Sequence, residues 1–394
     1  MSVEDTQGKG ISMEFSFSDE QHMMYESVLG LFRQEAGPAL CRKTYETGAE
    51  VAKSLAGTLA DQGILGAGAA ELYGGSELTL LDSALVFEAA GQTLLPFPLI
   101  ENYVAATLVD RYGDEAQKQH WLSAMVSGTV IPTLAWGNVK DGFGQEGVQA
   151  VRQGGVLRLY GRRKFVPFLE AAGVVLMPVY ATDVNAIMLV LCDPTQEGVS
   201  VESLESMDGS YPLGAISLNG YRVRDGELVA GGREAWAFAH TMGLVALAQE
   251  ALGVAEEAFR RALDYVKVRE QFGGPVGRFQ AVKHTAADDY LMLESARVAN
   301  RYASWLVSEK SPESPLYAAM AKAYASDTAR RVTGDAIQLH GGIGFTWESD
   351  MHLYFKRAWR LASELGRATD LREEMARLVI DRGEEEGDGY GFTI

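Results

Sequence analysis

LVALAQEALGVAEEAFRRALDYVKVREQFGGPVGRFQ, Leu244 to Gln280, is the stretch from which the fold is read. From Leu252 to Val266 apolar residues recur with helical period, at Leu252, Ala255, Phe259, Ala262 and Val266. Glu256, Glu257, Arg260, Arg261 and Asp264 fill the other side, so this half predicts an amphipathic helix. The preceding half differs. Between Met242 and Ala255 only Gln249 and Glu250 are polar, which predicts a segment buried all round. Glu250 shares a stripe with Gly243, Leu247 and Val254, so its carboxylate falls on an apolar face. There it must find a partner, stay protonated or line a cavity.

Gly273, Gly274 and Pro275 forbid continuation of this helix, and a second one restarts near Arg278. The tip between them gathers an arginine, an aromatic ring and amides, a set that suits a phosphate and a planar heterocycle. The stretch YVKVREQFGGPVGRFQAVKH (265–284), followed later by AIQLHGGIGFTWESDMHLYFKRA (336–358), resembles the C-terminal helical domain of the acyl-CoA dehydrogenase family. Two separated motifs stand in that family's order and spacing, and residues 13 to about 382 follow its plan.

Upstream, Ser18 begins a helix signal with an apolar stripe through Met24, Val28, Leu29 and Phe32. Further helices are predicted over roughly 50–63, 79–95, 99–111 and 114–127. From Thr129 the texture changes to short β-type runs: Thr129–Trp136, Val148–Val151, Val156–Tyr160, Val174–Tyr180, Ala186–Cys192 and Ala215–Val223. Long helical patterns return over 232–267, 279–309, 313–339 and 349–364. Helices, then strands, then helices imply segregated α+β domains and no doubly wound sheet. The expected division is a loose extension (1–12), an N-terminal helical domain (13–128), a middle β-sandwich or barrel (129–230), a C-terminal four-helix bundle (231–382) and an acidic tail (383–394).

At 394 residues the chain can bury a large core, and 47% apolar with 22% charged residues are globular values. The formal net charge of −18, with no basic cluster to offset it, argues against nucleic-acid and anionic-membrane partners. Cys41 and Cys192 are too few and too far apart for a disulfide framework or a zinc site, so no metal is expected. No apolar run of 18 residues and no signal-peptide pattern occur, which points to a cytoplasmic protein. Gly66-Ala67-Gly68 has neither a third glycine in place nor a strand before it, and is a poor dinucleotide fingerprint.

The resemblance implies a reaction and a cofactor. The family removes a proton from Cα and a hydride from Cβ of an acyl-CoA, the hydride passing to FAD, so the protein supplies a carboxylate base in a dry pocket. Of the two places where the family keeps that base, the first long helix offers Glu250, in Gln249-Glu250-Ala251-Leu252-Gly253, close to a pattern of bacterial members acting on bulky acyl-CoAs. Counted without gaps from Gly341-Gly342, the second place falls on Leu365, with Glu364 one residue and about 100° of helix away. Arg269, Phe272 and Gln280 match residues that hold the FAD pyrophosphate and adenine across a subunit interface, and Gln338, Gly341 and Gly342 match the partner motif. His340 reads as structural, and Trp136 as core.

The β-domain departs from the family pattern. Leu134-Ala135-Trp136-Gly137-Asn138 and Val139-Lys140-Asp141-Gly142 replace the usual flavin-facing segment, and Phe165-Val166-Pro167-Phe168 replaces one that offers the flavin a hydroxyl. Two readings follow. The chain is an acyl-CoA dehydrogenase with Glu250 as base, passing electrons to an electron-transfer flavoprotein. Alternatively it is a non-catalytic partner subunit that completes a neighbour's FAD site. A homotetramer or an α2β2 heterotetramer is expected, and a flavin oxidase or monooxygenase is a weaker third reading.

Overall fold

Ser18 starts the first helix as its sequence predicts: its hydroxyl accepts from the Gln21 N–H while the Gln21 side chain takes the Ser18 N–H. The computed structural model describes residues 17–136 and 147–386, with side chains described through residue 380. The extension 1–12, the segment Gly137 to Gly142 and the last eight residues of the acidic tail lie outside the described residues. The N-terminal block comprises α1 (Asp19–Glu35), α2 (Pro38–Thr47), α3 (Glu50–Asp61), α4 (Leu80–Thr93), α5 (Leu99–Tyr112), α6 (Glu115–Gln117) and α7 (Ser123–Val126), the last two joined by a π-helical turn at Lys118–Leu122. α2, a short helix with Pro38 in its first turn and no side-chain cap, carries little signal in the sequence.

The middle of the chain forms one eight-stranded sheet: β1 (Pro132–Leu134), β2 (Gln149–Gln153), β3 (Val156–Pro167), β4 (Val174–Ala181), β5 (Ala186–Cys192), β6 (Val199–Leu204), β7 (Leu213–Arg222) and β8 (Leu228–Val229). Strand order is β6-β7-β3-β2-β4-β5-β8, with β1 pairing parallel to β4. The sheet encloses its own apolar core, including Leu159, Val175, Met177, Val190 and Ile216. The edge strand β6 was not read from the sequence because its residues are mostly exposed and lack a buried face.

The C-terminal block holds α8 (Gly232–Val268), a two-residue-stranded hairpin of β9 (Glu270–Gln271) and β10 (Gly274–Pro275), then α9 (Gln280–Ser308), α10 (Ser314–His340), α11 (Met351–Ser363) and α12 (Ala368–Glu386). The bundle therefore has five helices among the described residues; α12 packs on α10, and the tail placed at 383 begins inside it. By length and composition α8 could cross a membrane, yet 89% of its most apolar window is buried inside the protein, as for a core helix. It crosses α4 backbone to backbone. A Cβ on Gly253 would lie 1.9 Å from the Glu88 carbonyl oxygen, and one on Gly91 would lie 2.1 Å from that of Glu250. Only glycine at both positions allows this approach.

Candidate functional site

Glu250 does find a partner. Its Oε1 accepts from Arg357 Nη1 at 2.8 Å and from Arg360 Nη2 at 3.1 Å, both arginines coming from α11. Arg357 is wholly buried, and its Nε donates to Asp208 Oδ2 at 2.7 Å while Nη2 reaches Ser210 Oγ at 2.9 Å. Arg360 also pairs with Glu364 and lies 3.6 Å from the ring centroid of Tyr211. The Tyr211 hydroxyl donates to Glu101 Oε2 at 2.9 Å, whereas Glu101 Oε1 has no hydrogen-bond partner. Glu101, Asp208, Glu250 and Glu364 thus surround Arg357 and Arg360 in the interior.

Of the outcomes open to Glu250, the structure shows a partner: its Oε1 is paired with arginines. Both guanidiniums meet the same oxygen, Oε1, so the carboxylate is a buried, paired one. The neighbours respond to the same field. Burial would push Asp208 up, but Arg357 and Arg360 override it and hold the carboxyl below its ordinary value. Burial raises Glu364, against the pull of Arg360. Burial, reinforced by the charge of Glu364, pushes Glu101 up to about 8. Lys322 on α10 is fully buried, donates to Ser326 Oγ at 3.0 Å, and is pushed down to about 7 by burial.

Glu101 makes one outcome measurable. Its folded value lies above its unfolded one, so the stabilising state is the protonated one. That contribution is complete below about pH 4.3 and falls away as pH rises towards 8. Glu101→Gln, which keeps the shape without the charge, should gain stability over the parent between pH 5 and 8. Urea midpoints at those two values check this; a gap that does not widen with pH refutes the protonated assignment.

The second family position is apolar. Leu365 has φ 55°, and its Cδ1 lies 2.7 Å from where a Cβ on Gly243 would stand; Trp136 Cη2 lies 3.0 Å from the same point. Gly243, Leu365 and Trp136 therefore meet at one spot, and none of them carries a carboxylate. Trp136 also packs on Trp236 at 5.4 Å, which agrees with a core role, although its Nε1 has no hydrogen-bond partner. Phe168 is buried with its ring edge-on to Tyr211 at 4.8 Å, and Thr133 Oγ1 donates to the Pro167 carbonyl at 2.6 Å.

The cofactor candidates sit elsewhere, at one end of the bundle. Arg278 Nη1 donates to the Gly273 carbonyl at 3.1 Å and closes the hairpin that carries Phe272. The Tyr265 ring stacks on His340 at 4.5 Å, bringing the ends of α8 and α10 together, and His340 Nδ1 lies 2.7 Å from the Ala336 carbonyl, as a structural histidine should. Arg269, Phe272, Gln280, Gln338, Gly341 and Gly342 are all exposed. Phe272 is 83% exposed at φ 54°, and no atom lies within 4 Å of a Cβ built on Gly341 or Gly342. An uncommitted guanidinium, an uncovered ring and open backbone fit the diphosphate and adenine of a dinucleotide.

The family model of the acyl-CoA dehydrogenase C-terminal domain matches residues 237–379, and that of the N-terminal domain matches 18–129. The acyl-CoA dehydrogenase FadE27 of Mycobacterium tuberculosis is 32% identical over 333 residues, covering 82% of this chain and 87% of that protein. Among solved structures, the ChsE4–ChsE5 complex from Mycobacterium tuberculosis is similar with a TM-score of 0.86 at 27% identity, covering 94% of this chain and 99% of that one. The Tcur3481–Tcur3483 steroid acyl-CoA dehydrogenase is similar with a TM-score of 0.82 at 28% identity, covering 92% and 99%.

Proposed function

The chain belongs to the acyl-CoA dehydrogenase family of flavoprotein oxidoreductases, and from that premise we propose that it works as one of two kinds of subunit in a heteromeric enzyme. The reaction is α,β-dehydrogenation of an acyl-CoA thioester. This chain contributes the exposed tip around Arg269 and Phe272 to a flavin site shared across the interface, and the other subunit supplies the base. The observation that carries this reading is the setting of the two base positions: Glu250 Oε1 is paired with Arg357 and Arg360, and Leu365 meets Gly243 without an acid between them. Likeness to a complex of two different chains supports the heteromer. Likeness to a steroid enzyme supports a bulky or cyclic acyl group. Electrons would leave to an electron-transfer flavoprotein, in the cytoplasm.

FAD, when bound, supplies the hydride acceptor. Arg269, Gln280 and Gln338 would hold its polar end, Phe272 would cover the adenine, and Gly341 and Gly342 would let backbone approach.

The test is Glu250→Gln in the enzyme assembled by co-expression with the neighbouring genes. Turnover should stay within about threefold of the parent, although stability falls. A loss on the order of 10²–10⁴, the usual contribution of a general base, would restore Glu250 to that role and sink the reading. The flavin-to-subunit ratio of the same preparation gives the stoichiometry, with fewer than one flavin per chain expected.

A further inference from the structure

The two motifs read as flavin-binding stand on different helices: Arg269 and Phe272 just beyond α8, and Gln338, Gly341 and Gly342 at the end of α10. The buried side chains that pack these helices stop short of both motifs. Val266 is the last one on α8 and Ile337 the last on α10. Beyond them the chain is exposed at Lys267, Val268 and Arg269 on one side, and at Gln338, Gly341 and Gly342 on the other. Helix ends fray unless something ties them. A site built from two loose ends would have to be ordered by the ligand as it binds, which weakens affinity.

One aromatic pair spans the gap. The Tyr265 ring, in the last turn of α8, stacks on His340, the last residue of α10, with centroids 4.5 Å apart and planes 20° from parallel. Each ring is tied to one of the motifs. The Tyr265 carbonyl accepts from the Arg269 N–H at 2.9 Å, and the Arg269 carbonyl accepts from the Val276 N–H at 2.8 Å, which closes the tip. On the other side His340 Nδ1 donates to the Ala336 carbonyl at 2.7 Å, which fixes the imidazole against its own helix. The chain after Gly342 then folds back over that helix end. A Cβ on Gly344 would lie 2.4 Å from the Ile337 carbonyl oxygen and 3.1 Å from the His340 Cβ, so only glycine permits the closure. Gly341 and Gly342 are thereby held between two anchored points. Ending a helix requires neither the stack nor the fold-back.

We propose that Tyr265 and His340 are a positioning pair for the flavin, their stack setting Arg269 against the Gly341–Gly342 backbone before the dinucleotide arrives. This rests on the reading of the exposed tip as a flavin site, and it adds what presets that site. Fixing both motifs in advance removes an ordering cost from the binding step.

The test is a double-mutant cycle in the assembled, flavin-stripped enzyme, with FAD titrated and read by flavin fluorescence. Tyr265→Ala and His340→Ala should each weaken affinity about three- to tenfold, the worth of an aromatic pair. The double variant should lose no more than the worse single one, because either change breaks the same stack. Tyr265→Phe keeps the ring and should hold affinity within about twofold of the parent. Tyr317→Ala removes another ring pair, Tyr302–Tyr317 at 4.8 Å, at the far end of α10, and should leave affinity unchanged. Losses that multiply in the double variant would mean two independent contacts and overturn the proposal. Unchanged affinity in both single variants would do the same, as would an equal loss in Tyr317→Ala, the mark of a generally loosened bundle. Arg269→Ala, run alongside, separates the inference from its premise. A loss there with none in the stack variants overturns the positioning role and leaves the tip a flavin site. Full affinity in Arg269→Ala removes the tip from the flavin site, and the role of the pair with it.

Discussion

Arg357→Met should cost this chain about 3–5 kcal/mol of stability, the largest loss expected from any single side chain discussed. Arg357 is fully buried and is the hub through which Asp208, Ser210 and Glu250 are satisfied. Methionine fills similar space, so little of the loss comes from a cavity. It comes from leaving two buried carboxylates to one guanidinium, Arg360, already committed to Glu364, with Ser210 still donating to Asp208. A loss that size is a large part of the stability of an ordinary domain, so soluble yield should fall with the urea midpoint. Removing both ends tests the origin. Arg357→Met combined with Glu250→Gln and Asp208→Asn should recover much of the loss, because the penalty belongs to the stranded charges and not to the missing arginine. If the triple variant is no more stable than the single one, packing around the guanidinium, and not its charge, holds the site. Arg367, whose ion pair with Asp370 is exposed, provides the contrast: Arg367→Met should leave the midpoint unmoved.

The buried cluster shows what a single sequence can and cannot disclose. The stripe through Gly243, Leu247, Glu250 and Val254 already said that the Glu250 carboxylate is interior and must find a partner or a cavity. The same rule applied to α11 would have found the partner. Leu353, Arg357 and Leu361 fall at four-residue spacing on one buried face, so Arg357 is as anomalous there as Glu250 is on α8. Two opposite charges, each on a buried helix face, read as a pair. That inference needs both anomalies held together. Asp208, Tyr211 and Glu101 left no such mark. Asp208 and Tyr211 lie in the connection between β6 and β7, and α5 is buried on nearly every side, so no periodicity singles out Glu101. Order and class of the domains were legible because long amphipathic helices and alternating strands carry their own period. The fifth helix of the bundle, α12, was not, since its charged sequence resembles a solvated tail until α10 is seen to pack against it.

Arg269→Ala should weaken flavin binding by the assembled enzyme roughly 10- to 150-fold, the equivalent of about 1.5–3 kcal/mol for hydrogen bonds to a charged group. Stability of the isolated chain should not change, because Arg269 is exposed and only its backbone is engaged, donating to the Tyr265 carbonyl at 2.9 Å and accepting from the Val276 N–H at 2.8 Å. That split matters. A residue serving only to end α8 would lower the melting midpoint without touching affinity, whereas a phosphate ligand lowers affinity alone. Arg269→Lys discriminates further: the charge persists but the planar fork is lost, so affinity should fall between that of the parent and that of the alanine variant. Phe272→Ala should add a smaller loss, since the ring stands 83% exposed and gains cover only when something is laid on it. Equilibrium titration of FAD into the flavin-stripped assembly, read by flavin fluorescence, measures all three variants. Full affinity in Arg269→Ala would remove the tip from the flavin site. It would also remove the reason for a neighbour to cover this end of the bundle. A graded loss across alanine, lysine and parent, at constant melting midpoint, is what an interface-borne phosphate contact requires.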